Sequence, residues 1–198
     1  KEALIDVDGT IAGTYGEYKG GMSLSHKGIW GYSPLIVSLA NTKEVLYLEN
    51  RPGNVASHDG SVKWIDRAIE VVEPYAEGIC IRGDTDFSLT GNFDRWSERA
   101  DFVFGMDARA VLIKRAEELP KEAWKVLVRK PKYTVKTQER QKPESIKEEI
   151  VKEKGYKNIR LESERVAEFE YQPGKCDKMY RMVVLEKNLS VEEGKKAL

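Results

Sequence analysis

The spacing of hydrophobic residues over the first half of the chain predicts a strand-rich α/β core. The apolar run Ala3–Ile11 is typical of a buried strand that ends in a glycine turn. A glycine-containing loop is expected next, over residues 13–21. Ser33–Leu39 and Val45–Leu48 then predict two more strands, and the few residues between them favour an antiparallel hairpin.

The following segments predict helices that alternate with short buried strands. Ser61–Tyr75 is expected to form a helix capped by Asp59 or Ser61, because its apolar residues recur every three or four positions. The pattern further predicts strands at residues 79–81 and 102–105 and helices at residues 92–99 and 108–119. The element order is therefore β-β-β-α-β-α-β-α, which is an α/β fold.

The hydrophobic pattern changes after Pro120. Residues 158–171 and 178–187 alternate apolar with charged side chains, which is typical of strands with one face in water. A short polar helix is expected at residues 145–154. We therefore predict a core over residues 1–121 and a β-rich insertion subdomain over residues 122–198.

Composition narrows the class of protein. A chain of 198 residues with 33% charged residues fits one domain that carries a sizeable insertion. It has no apolar run near the roughly 20 residues of a membrane-spanning helix, so no membrane partner is expected. Cys80 and Cys176 lie far apart, which predicts free thiols in a reducing cytoplasm. The four tryptophans are expected to pack rather than to stack on bases: Trp30, Trp64, Trp96 and Trp124.

Two pairs of aspartates are the candidate chemistry. Asp6 and Asp8 lie two residues apart in an apolar strand, so both project from the same side. Asp84 and Asp86 follow the short strand at residues 79–81. Such aspartates often shape turns, but carboxylates on apolar strands need neutralisation, and Mg²⁺ prefers hard oxygen ligands. Two acidic clusters at core strands therefore favour a two-metal site for phosphoryl transfer.

Several motifs resemble those of bacterial insertion-sequence transposases of the DDE class, group 1. These motifs run through nearly the whole chain, in order, at residues 5–10, 50–54, 81–87, 92–94, 102–107, 157–161 and 187–189. The resemblance implies an RNase H-like mixed sheet with helices on its faces, interrupted by a β-rich insertion. It also implies metal-dependent cleavage and strand transfer on double-stranded DNA, at transposon ends and target.

The resemblance also assigns the catalytic acids. The family's first acid, on strand one, corresponds to Asp8 or to Asp6, and its second corresponds to Asp84, with Asp86 as a supporting acid. Asp8 and Asp84 would then hold two Mg²⁺ or Mn²⁺ ions together with a third acid, a glutamate on a helix after the insertion. That helix is expected beyond this chain, so we predict little cleavage by the chain alone. A homodimer of the intact protein is compatible with the resemblance.

Two further interpretations concern binding and an alternative activity. Residues 125–142 are rich in lysine and arginine, which predicts contact with DNA phosphates; the candidate residues are Lys125, Arg129, Lys130, Lys132 and Lys136. The alternative activity arises because residues 6–10 also resemble the opening motif of haloacid-dehalogenase-type phosphatases. In that family Asp6 would be the nucleophile and Asp8 the general acid. Its parallel sheet needs helical crossovers, whereas two strands are predicted here before the first helix.

Overall fold

The computed structural model describes residues 1–16, 18–130 and 157–193. Three helices are described: α1 (Ser61–Val72), α2 (Phe93–Trp96) and α3 (Ala110–Glu117). The described strands, in chain order, are β1 (Glu2–Gly9), β2 (Ala12–Gly13), β3 (Ser23–Leu24), β4 (Trp30–Tyr32), β5 (Leu35–Leu39), β6 (Glu44–Glu49), β7 (Gly78–Gly83), β8 (Asp101–Phe104), β9 (Lys125–Val126), β10 (Lys157–Tyr171) and β11 (Tyr180–Glu193).

A five-stranded mixed sheet forms the centre of the first part of the chain, in the order β6-β5-β1-β7-β8. The central strand β1 runs antiparallel to β5 and parallel to β7. Strands β5 and β6 form the expected antiparallel hairpin. The parallel pairs β1–β7 and β7–β8 need crossover connections, which contain α1 and α2. The predicted α/β class, the mixed sheet and the order of its core elements are thus confirmed.

Helices α1 and α2 pack on one face of this sheet. Ile5 and Ile81 lie side by side in the β1–β7 register and are fully buried, as are Ile65 and Ile69 of α1. Phe102 is opposite Ile81 in the next pair, and the ring of Phe93 in α2 lies 4.6 Å from its ring. The apolar face of α1 therefore supplies the core that its periodicity predicts.

The opposite face of the sheet, called here the open face, carries the aspartates. It is formed by alternate residues of the same strands: Leu4, Asp6, Asp8, Ile36, Leu48, Cys80, Arg82 and Val103. Leu48 and Val103 are 60% and 64% exposed, although both are large apolar residues. The sheet is thus buried on one side and accessible on the side that bears Asp6 and Asp8.

The N-terminus of α1 differs from the prediction. Gly60 occupies the N-cap position with φ of 72°, and neither Asp59 nor Ser61 caps the helix with its side chain. Ser61 is already inside the first turn and buried, and its hydroxyl donates to the carbonyl of His58 at 2.7 Å. The left-handed turn, which glycine adopts without strain, starts the helix in place of a side-chain cap.

A small three-stranded sheet, in the order β2-β4-β3, replaces the loop predicted after β1. Its strands are two or three residues long, too short for alternation of apolar and polar residues to reveal them. The expectation that all tryptophans pack was wrong for Trp30, which is 59% exposed on β4. Trp96 is buried as expected, and Trp64 lies against Tyr47.

Strands β9, β10 and β11 form a second antiparallel sheet, in the order β11-β10-β9. The long β10–β11 hairpin contains a bulge at Leu161/Ser163. The predicted alternation holds at Ala167 and Glu168 but was wrong near the bulge, where Leu161 is 51% exposed and Glu164 is buried against Arg129. Arg115 of α3 donates to the carbonyl of Glu170 and lies over the ring of Tyr171. The helix expected at residues 145–154 lies outside the described residues.

The chain divides into two compact units. The first contains Lys1–Ala108 together with the hairpin turn Gln172–Met179, and the second contains Arg109–Tyr171 and Tyr180–Leu198. Both cysteines are free, as predicted. Within the residues that the structure describes, no helix is long and apolar enough to cross a membrane.

Candidate active site

Asp8 and Asp84 lie at the carboxyl ends of the two central parallel strands. The register of β1 and β7 sets Asp6 opposite Arg82 as its last pair, and Asp8 and Asp84 each lie two residues further along their chains. Neighbouring strands are about 4.8 Å apart, and residues at the same level of a parallel pair project to the same face. Asp84 retains extended backbone, with φ of −76° and ψ of −167°. Asp8 and Asp84 therefore each follow the paired part of a parallel strand, towards the same edge of the sheet.

Asp6, the other candidate on β1, is engaged by a neighbouring arginine. Arg82 donates from Nε to Oδ1 of Asp6 at 2.7 Å and from Nη2 to Oδ2 at 2.9 Å. The ion pair favours the charged form of the guanidinium and raises the pKa of Arg82. Both oxygens of Asp6 thus accept hydrogen bonds, whereas Asp8 is exposed at the end of the strand.

The segment after β7 turns sharply and holds Asp84 in place. Oδ1 of Asp84 accepts a hydrogen bond from the backbone N–H of Asp86 at 3.0 Å, at the start of a 3-10 turn over Thr85–Phe87. Gly105 follows β8 and passes so close that a Cβ there would lie 2.8 Å from the backbone nitrogen of Thr85. Asp86 therefore supports Asp84 through its backbone.

The loop at residues 51–60 lies against the end of β1 and is organised by Arg51. The Arg51 side chain is buried and donates to the carbonyls of Ser33, Ser57 and Asp59. Burial lowers the pKa of Arg51, and its Nη2 is buried without a hydrogen-bond partner among the described residues. Gly9 admits this loop, since a Cβ there would lie 2.8 Å from Cβ of Ser57.

Sequence reasoning did not single out Arg51, although the turn residues beside it predicted a loop. Its position between two glycine-containing segments offered a weak signal, because an arginine is rarely buried unless it has partners. Here those partners are backbone carbonyls from two separate segments, which only the fold brings together. Arg51 thus fixes the surroundings of Asp8 rather than the aspartate itself.

The acids near these strand ends fit a divalent cation of the Mg²⁺ type. Mg²⁺ is usually bound through one or two carboxylates and completes its shell with water and substrate oxygens. Asp8 and Asp84 are the predicted pair, while Asp6 is paired with Arg82. Within the described part of the chain, no group of three or more acidic, histidine or cysteine side chains forms a metal cluster.

The predicted DNA-contacting residues divide into three groups. Lys125 and Lys130 are exposed. Arg129 is paired with the buried Glu164, and its Nη2 donates to Oε1 of Glu164 at 3.0 Å. This pair lowers the pKa of Glu164 and raises that of Arg129. Lys132 and Lys136 lie outside the described residues.

Charge is unevenly distributed along the chain. Residues 1–108 contain ten lysines and arginines against seventeen aspartates and glutamates, whereas residues 109–198 contain 23 against 16. The first segment therefore has a formal charge of −7 and the second +7, which cancel to the net zero of the whole sequence. The net charge of zero therefore combines an acidic segment, residues 1–108, which contains the candidate metal ligands, with a basic segment, residues 109–198.

Comparison with known proteins identifies the family. The sequence model described as "Transposase DDE domain group 1" matches residues 1–191. The chain belongs to this family. No curated protein matches this transposase DDE domain. Among solved structures, it is similar to a piggyBac transposase in a synaptic complex with hairpin DNA, determined by cryo-EM, with a TM-score of 0.37 and 12% identity. The match covers 91% of this chain and 32% of that one, so the domain spans about a third of that protein's length.

The sheet of this transposase DDE domain excludes the phosphatase alternative. In that alternative, Asp6 and Asp8 would sit on a strand flanked by parallel neighbours. Here β1 pairs antiparallel with β5, and β5 pairs antiparallel with β6, before the first helix.

Proposed function

We propose that this chain is the central part of the catalytic domain of a DNA transposase, in which Asp8 and Asp84 bind the metal ions that catalyse strand cleavage and strand transfer. The observation that supports the proposal is the parallel register of β1 and β7, which pairs Asp6 with Arg82, because its continuation by two residues would bring Asp8 beside Asp84. Asp8 is the principal first acid, because Arg82 already neutralises Asp6.

The side chains of the proposed site have different roles. Asp8 and Asp84 would hold two Mg²⁺ or Mn²⁺ ions, and Asp84 is oriented by the backbone N–H of Asp86. Bound there, such ions activate the attacking water or 3′-hydroxyl and stabilise the leaving oxygen. Arg51 keeps the loop of residues 51–60 against the end of β1. Arg82 compensates the negative charge of Asp6. The carboxylates of Asp8 and Asp84 are therefore the pair left to bind metal.

A third acid completes the proposal. The family resemblance implies a glutamate on a helix that follows the insertion, beyond the described strands. The open face is where such a helix can pack, because Leu48 and Val103 are exposed on the same side of the sheet as Asp6 and Asp8. The 198-residue chain would then fold and bind metal weakly while cleaving little DNA.

Double-stranded DNA is the proposed partner, in a cytoplasmic protein that can act as a homodimer when intact. The basic segment that begins at Lys125 would contact phosphates, with Lys125 and Lys130 available and Arg129 occupied by Glu164. Each phosphate contact contributes a slope of about 0.9 to the dependence of log affinity on log salt for duplex DNA. We expect this slope to fall when Lys125 and Lys130 are replaced, and to fall further when Lys132 and Lys136 are included.

The decisive experiment compares this chain with a version extended at its C-terminus, each incubated with Mn²⁺ and linear DNA bearing the element's ends. The extended chain should release 3′-hydroxyl products, and Asp8→Asn and Asp84→Asn should each abolish them. Asp6→Asn is the matched control and should retain most of the cleavage. Cleavage that survives Asp84→Asn would reject the proposed site, and strong cleavage by the 198-residue chain would show that its own residues include the third acid.

A further inference from the structure

The small sheet that follows β1 contains a cavity with aromatic walls. Its volume is about 420 Å³, within the range of pockets that hold small organic groups. Glycines supply part of its floor, and glycine lets another group approach the backbone closely. The residues that matter for its shape are Gly13, Tyr15, Met22, Gly28, Ile29 and Trp30.

Backbone hydrogen bonds hold this sheet in one conformation. Thr14 donates its N–H to the carbonyl of Trp30 at 3.0 Å, extending the β2–β4 pairing across the cavity. The turn between β3 and β4 is closed by Ser25, which is buried and accepts from the N–H of Ile29 at 3.1 Å. Tyr32 donates its hydroxyl to the carbonyl of Gly20 at 2.8 Å. The indole of Trp30 is therefore carried on a fixed backbone.

The sheet is also fastened to the loop that surrounds Asp8. Gly53 donates its N–H to the carbonyl of Gly31 at 3.1 Å, and Ser33 donates to the carbonyl of Arg51 at 2.8 Å. A Cβ at Gly53 would overlap the carbonyl oxygen of Ser23, so the two segments touch backbone to backbone. The aromatic cavity and the end of β1 are thus parts of one packed assembly within the first compact unit.

Exposed aromatic rings and local charge indicate what this cavity binds. Tyr15 and Trp30 line it, and they are fully exposed and 59% exposed, respectively. Lys19 lies at its edge, because its Nζ donates to the hydroxyl of Thr14 at 2.9 Å. Residues 10–32 contain two lysines and one acid, whereas residues 1–108 as a whole are acidic. Exposed rings beside the amino group of Lys19 favour a flat, negatively charged chain, such as the bases and phosphates of single-stranded nucleic acid.

The cavity lies close to the proposed metal-binding aspartates. Gly13 lies five positions after Asp8, so an extended chain sets their Cα atoms at most about 18 Å apart. We propose that Trp30 and Tyr15 form a stacking site for an unpaired DNA base next to the cleavage site. A base within a duplex is covered on both faces, so only an unpaired one can lie against Trp30. This inference rests on the proposed function, since DNA must be held at Asp8 for its bases to reach the cavity.

The test measures binding of the 198-residue chain to a fluorescein-labelled oligothymidine and to a labelled duplex of the same length, by fluorescence anisotropy. Trp30→Ala should weaken binding of the single strand by about five- to 150-fold, which corresponds to the loss of one stacked base. Duplex affinity should stay unchanged, and Trp30→Phe should recover most of the single-strand affinity. Tyr75→Ala is the matched control, because Tyr75 is 89% exposed but lies outside the small sheet.

A second measurement tests the stacking site even if the Trp30→Ala variant does not fold. An oligothymidine containing 5-iodouracil, irradiated with the unaltered chain, should form a cross-link that maps to Trp30 or Tyr15. Cross-links only elsewhere, or equal losses of single-strand and duplex affinity in Trp30→Ala, would overturn the stacking site. If the chain binds duplex but Trp30→Ala leaves single-strand binding unaltered, the stacking site fails while the proposed function stands. If the chain binds neither form of DNA, both fail.

Discussion

Arg82 and Asp6 face each other directly across the parallel pair of β7 and β1, joined by hydrogen bonds of 2.7 and 2.9 Å. This bidentate pair distinguishes two aspartates that the sequence leaves equivalent. Asp8 and Asp84 lie two residues beyond this pair along their chains. The ion pair is the reason to propose Asp8 and Asp84, rather than Asp6, as the metal ligands.

The first prediction follows from that assignment. Titration calorimetry with Mn²⁺ should show weak binding by the unaltered chain, and Asp8→Asn or Asp84→Asn should abolish it. Asp6→Asn should retain binding, because the lost carboxylate was engaged by Arg82. Its stability should fall by no more than about 1 kcal/mol, since both partners are at least 40% exposed. Loss of Mn²⁺ binding in Asp6→Asn alone would instead make Asp6 the first ligand.

The second prediction concerns the packing of the small sheet. Gly31→Ala should destabilise the chain by about 1–3 kcal/mol, because its Cβ would overlap the carbonyl oxygen of Ala12. Gly20→Ala, in the same region, has no atom within 4 Å of its added Cβ and should be neutral or slightly stabilising. Thermal unfolding monitored by circular dichroism compares the two. Equal melting temperatures for both variants would mean that β2 and β4 do not pack as described.

The third prediction concerns pH. Hydrogen bonds from Arg129 favour the Glu164 carboxylate and lower its pKa in the folded chain. The unfolded chain therefore takes up this proton at higher pH, so the stability that the pair provides is complete above the ordinary glutamate pKa. It is lost as the pH falls through that value towards the lower folded pKa. Urea unfolding at a series of acidic pH values should show a shallower decline for Glu164→Gln.

Arg129→Gln gives a complementary variant for this pair. It leaves Glu164, whose side chain is 5% exposed, without its arginine donor. This variant should lose more stability at neutral pH than Glu164→Gln, because a buried carboxylate without its partner is more costly than a neutral amide. The difference should shrink as acid protonates Glu164. A constant difference at all pH values would show that charge at Glu164 is not the cause.

The fourth prediction concerns the hairpin turn Gln172–Met179. Asp94 accepts hydrogen bonds from the backbone N–H groups of Asp177, at 2.6 Å, and Lys178, at 3.4 Å. Asp94→Ala should speed hydrogen exchange at Asp177 by about ten- to 150-fold, the range for losing a hydrogen bond to a charged group. Glu98→Ala is the control, because its contact with Lys178 is an exposed ion pair at 4.0 Å. Unchanged exchange in Asp94→Ala would show that other contacts hold the turn.

Periodicity alone was enough to predict the core elements. The three- and four-residue spacing of Ile65, Ile69 and Val72 identified α1, and its burial follows from the need to remove that apolar stripe from water. The apolar run around Ile5 and Val7 identified β1 in the same way. Local pattern was not enough for β2, β3 and β4, which are too short to display a period and are held by contacts with residues 51–53.

The N-terminus of α1 shows why local capping rules can mislead. Asp59 and Ser61 are both good N-cap residues by type, yet the chain enters the helix through Gly60 in a left-handed conformation. The entry is set by Arg51, which bonds the carbonyls of Ser57 and Asp59 and so determines the path of the loop. The buried Arg51, with 9 residues between it and the helix, therefore sets the path by which the chain enters α1, and the residue types at the cap do not.

The sequence by itself determined the family, the order of the core elements and the two acidic clusters, because each can be recognised from residue types and their spacing along the chain. Only the tertiary structure decided which carboxylates remain available. Asp6 and Arg82 are 76 residues apart in the chain, and it is the β1–β7 register that brings them together. Hydrogen bonding between strands fixes such long-range pairing, and no local pattern along one strand contains it.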